Sequence, residues 1–102
     1  MNNKLRTGEV EHLFDAMLVL KEKEDYYKFF EDVCTINELL SMAQRYEVAK
    51  MLREGKTYLD IAKATGASTA TISRVNRSLH YGADGYELVF QRLGFEDKSE
   101  RS

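Results

Sequence analysis

Apolar positions recur at spacings of three and four along most of this chain, the signature of amphipathic helices. From Glu9 to Lys21, Val10, Leu13, Phe14, Met17, Leu18 and Leu20 gather mostly on one side of a first helix. A second, aromatic-rich helix is expected from Glu24 to Val33, with Tyr26, Tyr27, Phe29 and Phe30, and its acidic start suits a helix N-terminus. The sequence TINE at Thr35–Glu38 reads as a capping box that opens a long third helix. Its stripe is Ile36, Leu39, Leu40, Ala43, Val48, Met51 and Leu52, and Gly55 marks its stop. Two amphipathic helices ahead of this scaffold offer more apolar surface than so short a chain can cover, which argues for a second subunit; a compact monomer with a helical cap is the alternative.

The stretch Thr57–Leu79, TYLDIAKATGASTATISRVNRSL, reads as two short helices joined at Gly66. Thr57 caps the first, whose inward positions are Tyr58 or Leu59, Ile61 and Ala62, and Ala62 is small enough for a steep crossing. Gly66 supplies the positive φ of a helix end. Ser68 or Thr69 caps the second helix, where Ile72, Val75 and Leu79 recur at helical spacing. The face left over carries Thr69, Ala70, Thr71, Ser73, Arg74 and Arg77. Hydroxyls and arginines at the N-terminal half of such a helix suit a major groove and its phosphates, so the pair is a candidate helix-turn-helix; a plain packed helix pair is the bland alternative. A last helix follows HYGADGYE, with Asp84 as its cap and Tyr86, Val89, Phe90 and Leu93 facing inward.

A net charge of −2 sits poorly with DNA binding until it is divided along the chain. Residues 9–38 carry three lysines against nine carboxylates, whereas residues 39–80 carry seven cations against three. The basic excess thus coincides with the helix pair. The 102 residues are enough for one domain, expected over 9–93, with a flexible N-terminal arm at 1–8 and a disordered tail at 94–102. There is no run of eighteen apolar residues, and the start MNNKLRTGEVEH lacks a secretory apolar core, so a cytoplasmic protein without a membrane partner is expected.

Catalysis and metal binding are not expected. His12 and His80 are far apart and lack a local acid or thiol partner, and no metal-ligand spacing occurs. His80 suits a solvent-facing or phosphate-contacting role. Cys34, the single cysteine, reads as a small buried apolar residue.

The segments TGASTATISR, NRSLHYGADGY and, upstream, AQRYEVAKML resemble the Trp repressor superfamily, within it the YerC/YecD-like branch, over about Glu38 to Leu93. The resemblance implies an all-α fold of about six helices in an intertwined homodimer that presents two recognition helices to successive major grooves of double-stranded DNA. By that match Thr69, Ala70 and Ser73 face bases, while Thr57, Lys63, Ser68, Thr71 and Arg77 are candidates for phosphate contacts. The half-sites would lie about 10 base pairs apart. The family archetype holds tryptophan with two arginines. Arg74 matches one, and Arg45 matches the other if a one-residue gap is allowed. Val75 stands where the archetype has the glycine that faces the indole, so neither tryptophan nor any other cofactor is assigned. These implications make the chain a DNA-binding regulator, a repressor by resemblance. A helical protein-interaction module without sequence-specific DNA binding is the alternative.

Overall fold

The computed structural model describes residues 3–99 and consists of helices joined by short turns, with no strand among the described residues. After a 3-10 turn at Asn3–Leu5 come six α-helices: α1 Gly8–Leu18, α2 Lys23–Val33, α3 Ile36–Arg53, α4 Tyr58–Thr65, α5 Thr69–Tyr81 and α6 Gly85–Leu93. About six helices with a helix-turn-helix were expected, and six are found among the described residues. The chain divides into two compact units that meet in sequence between Leu39 and Leu40, where one domain over 9–93 was expected.

In the first unit the helices are set by their ends. The Thr7 hydroxyl accepts the Val10 N–H at 3.2 Å, which starts α1 one residue earlier than its apolar pattern does and draws the expected N-terminal arm into a cap. The helix stops at Leu18 rather than Lys21 because the Asp25 carboxylate takes the backbone N–H groups of Lys21 and Glu22, at 3.0 and 3.2 Å, for the start of α2. The TINE box forms as read: Glu38 Oε1 accepts the Thr35 N–H at 2.8 Å, and the Thr35 hydroxyl accepts the Glu38 N–H at 3.1 Å. These backbone bonds to Lys21 and Glu22, and to Thr35, hold the Asp25 and Glu38 carboxyls below the usual carboxylate range. Phe30 stacks on Tyr26 and meets Phe29 edge to face, yet neither α1 nor α2 holds a fully buried residue. Cys34 is half-buried at the end of α2, not in a core.

The core lies in the second unit. Val48 and Ala49 of α3, Ile61 of α4, Ala67 in the turn, Ile72, Val75 and Leu79 of α5 and Phe90 of α6 pack together, with Tyr46, Met51, Leu52, Ala62 and Tyr86 around them. Ile61, Ile72 and Val75 are essentially sealed, each burial favouring the fold by about 1.5–3 kcal/mol. Tyr58 and Leu59, expected inward, are exposed, and so are Val89 and Leu93 of α6. Helix α6 turns only Phe90 fully inward, and Asp84 before it adopts φ 62 without a capping bond from its side chain.

Arg53 is buried among these apolar groups. Its Nη2 bonds Glu87 Oε1 at 3.1 Å, and its Cζ lies 5.2 Å from the centre of the Phe90 ring. The segment after α6, expected to be disordered, folds back as far as it is described: Phe95 packs against Phe90, and the Lys98 N–H donates to the Arg53 carbonyl at 2.8 Å. The expected tail beyond Ser99 lies outside the described residues.

Candidate nucleic-acid interface

Short polar side chains and one glycine fix the turn between α4 and α5. The Thr57 hydroxyl accepts the Asp60 N–H at 3.2 Å and starts α4. At the other end Gly66 takes φ 72, a left-handed conformation that costs a residue without Cβ little, and donates its N–H to Ala62. The Thr65 hydroxyl donates to the Ile61 carbonyl at 2.7 Å and accepts the Ala67 N–H at 3.1 Å. From α3, Gln44 Nε2 donates to the Thr65 carbonyl at 3.1 Å. Sequence reasoning missed Thr65 and Gln44, although a glutamine beside the α3 stripe was the available signal.

The Ser68 hydroxyl accepts the Thr71 N–H and donates to Thr71 Oγ1, both at 3.1 Å, so Ser68 rather than Thr69 is the cap of α5. At about 100° per residue, Ile72, Val75 and Leu79 occupy about 60° of the helix surface. Thr69, Ala70, Ser73, Arg74 and Arg77 fall within about 140° on the opposite side. All five are exposed, and the three apolar residues are buried. Thr71 stands outside that outward arc and is half-buried, so its bond to Ser68 is its structural role.

The outward face is chemically open. Lys63, Arg74 and Arg77 are exposed and have no ion-pair partner among the described residues. The first turn of α5 holds no acidic residue, which leaves the positive end of its dipole uncompensated. Thr57 and Ser68 are exposed at the starts of α4 and α5, where a phosphate oxygen can approach a capping hydroxyl and the free backbone N–H groups together. The arrangement suits an anionic backbone along the helix starts and base edges along the outward arc of α5.

The two arginines suggested for a ligand have separate surroundings. Arg45 Nη1 donates to Ser41 Oγ at 3.0 Å on its own helix. Arg74 is exposed, while the adjacent Val75 is 1% exposed and belongs to the core. His80 is exposed, and its Nδ1 bonds the Asn76 carbonyl at 2.8 Å, a contact to its own helix. Among the described residues no group of three or more His, Cys, Asp or Glu side chains could hold a metal ion, and no helix is long and apolar enough to cross a membrane.

Comparison with known proteins agrees with this geometry. Residues 8–94 match the family model described as Trp repressor protein. The uncharacterised protein YerC of Bacillus subtilis is 58% identical over 91 residues, which cover 89% of this chain and 88% of YerC. A solved TrpR-like protein from Eubacterium eligens superposes with a TM-score of 0.90 at 70% identity, covering 95% of this chain and all of that one. A candidate Trp repressor from Staphylococcus aureus superposes at 0.91 with 48% identity, over 96% of this chain and 99% of its own.

Proposed function

The chain belongs to the Trp repressor protein family, and from that premise we propose that it is a sequence-specific DNA-binding transcription regulator, a homodimeric cytoplasmic repressor that occludes its operator. The observation that carries the proposal is the two-sided character of α5. Its apolar side is locked into the core, and Thr69, Ala70, Ser73, Arg74 and Arg77 stand exposed opposite it.

In this reading Thr57, Lys63, Ser68 and Arg77 hold the phosphates and set the register of the protein on the duplex, and Thr71, half-buried against the Ser68 cap, is left out of that set. Ala70 meets a thymine methyl, and the Thr69 and Ser73 hydroxyls reach base edges directly or through water. Such contacts discriminate weakly one by one, so DNA shape contributes to the choice of site. The dimer supplies the second recognition helix, and the exposed Phe14, Leu18 and Tyr27 of the first unit support it as apolar surface for a second copy to cover. No catalytic step is assigned to the chain. Val75, buried in this chain, argues against tryptophan as its corepressor, because by the family match its branched side chain would take the space that the archetype's glycine leaves for the indole. A rise in melting temperature or operator affinity on adding tryptophan would overturn that part of the reading.

The test is selection of duplexes from a random library by the purified protein at near-physiological salt, repeated with Arg74→Ala and Thr69→Ala. Enrichment of a near-palindrome by the parent chain, lost in the variants, is expected. A folded dimer that enriches no sequence, with or without added amino acids, points instead to a protein-interaction module.

A further inference from the structure

The C-terminal end of α3, helix α6 and the segment after it border a half-open pocket of about 550 Å³, lined by no residue assigned above to DNA contact. Its wall holds Lys50, Arg53, Lys56 and Lys98 together with Phe90 and Phe95. The carboxylates in that wall are Glu54 and Glu96, and Glu87 pairs with Arg53, which leaves three lysines against two carboxylates. The segment after α6 is fastened by the Lys98 N–H on the Arg53 carbonyl and by Phe95, whose ring centre stands 5.9 Å from that of Phe90 and 5.2 Å from Lys50 Nζ. Gly55 makes room for this docking: it takes φ 82, and a Cβ there would stand 2.9 Å from the Lys98 carbonyl oxygen.

The cations are under-compensated. Arg53 is 5% exposed and bonds Glu87 through Nη2, while its Nε and Nη1 are buried with no hydrogen-bond partner. The ammonium groups of Lys50, Lys56 and Lys98 have no ion-pair partner among the described residues. Buried donors without acceptors are rare in native proteins, and a concave wall of unpaired cations focuses positive potential into the space it borders. The volume is that of an ordinary small-molecule site, with apolar surface beside fixed charge.

We propose that this pocket binds a small organic oxyanion, a carboxylate or a phosphate carried on an apolar body. The oxyanion sits among the ammonium groups of Lys50, Lys56 and Lys98, and the body lies against Phe90 and Phe95. The site is independent of the DNA-binding face, so either can fail without the other.

The test titrates the full chain with inorganic phosphate and, separately, with benzoate, at ionic strength held constant with sodium chloride. Melting temperature and backbone amide resonances are followed. At least one probe should give a saturable rise in melting temperature, with the largest amide shifts at Phe95 and Lys98. The doubly substituted Lys56→Gln, Lys98→Gln chain, checked for unchanged helical circular dichroism, should bind that probe at least tenfold more weakly. A response to phosphate alone assigns the phosphate group, a response to benzoate alone assigns the carboxylate with its ring, and a response to both assigns a general oxyanion site. A non-saturating response, equal binding by the variant, or shifts centred on the start of α5 each overturns the proposal.

Discussion

An arginine keeps its charge in a folded protein, so wherever the chain buries one it must also bury or approach an anion. Glu87 meets that need for Arg53 across the gap between α3 and α6. Glu87→Gln keeps the shape and removes the charge, and urea unfolding should show a loss of about 2 kcal/mol, the scale of a hydrogen bond to a charged group. Replacing both residues by methionine should cost less than either single replacement, because no buried charge is then left over. Gly82 makes a second demand on a single residue. A Cβ there would collide with the carbonyl oxygen of Ser78, a backbone atom held in α5. Gly82→Ala should therefore destabilise by more than about 1 kcal/mol, read as a lowered urea midpoint with an unchanged slope. Neither constraint was legible in the sequence. Arg53 there is one more basic residue near a helix end, and only the folded chain brings Glu87, 34 positions on, within reach of it.

Elements whose ends are fixed by neighbours in sequence were the legible ones. The Thr35–Glu38 box, the Thr57 and Ser68 caps and the glycine at the α4–α5 turn all lie within four residues of what they bond, and each could be read from residue type and spacing. The same locality gave the outward face of α5, since a 3.6-residue period sorts buried from exposed positions without knowledge of what the helix packs on. Sequence failed where a partner decides the outcome. Leu59, Val89 and Leu93 satisfy the apolar period and stay exposed, and Phe95 follows the last helix yet docks on Phe90. Ser68→Ala should cost about 1 kcal/mol of stability through loss of the α5 cap, and restoring the side-chain acceptor with Asp should recover most of it in thermal unfolding. The capping carboxylates give a pH dependence with a definite sign. Asp25 and Glu38 have folded values below their ordinary ones, so their contribution is present above the ordinary carboxylate range and is lost as pH falls through the folded values. Side-chain NMR titration should place both midpoints below those of model peptides. Hydrogen-exchange protection factors at the starts of α2 and α3, taken against the intrinsic rate at each pH, should fall over the same interval.

On the scale of the whole molecule, charge and apolar surface are distributed for two different meetings. Three lysines face nine carboxylates over residues 9–38, and seven cations face three carboxylates over residues 39–80, so the acidic segment coincides with α1 and α2 and the basic one with the helix-turn-helix. The acidic segment is also the one that leaves Phe14, Leu18, Tyr27, Val33 and Ile36 exposed, a load of apolar surface that a small chain does not leave in water without a partner. If that partner is a second copy, each recognition helix is tethered to another. The second half-site then binds at the high effective concentration set by the dimer rather than at the bulk concentration. Phe14→Glu with Tyr27→Glu places like charges on a surface that is already acidic, and neither side chain belongs to the buried core around Ile72 and Phe90. The parent chain should sediment at twice its chain mass, and the variant at its chain mass with its helical content kept. Affinity for a two-half-site operator should then fall at least tenfold while affinity for an isolated half-site changes little. A variant that is monomeric but binds the full operator undiminished would separate dimerisation from recognition and leave each helix-turn-helix acting alone.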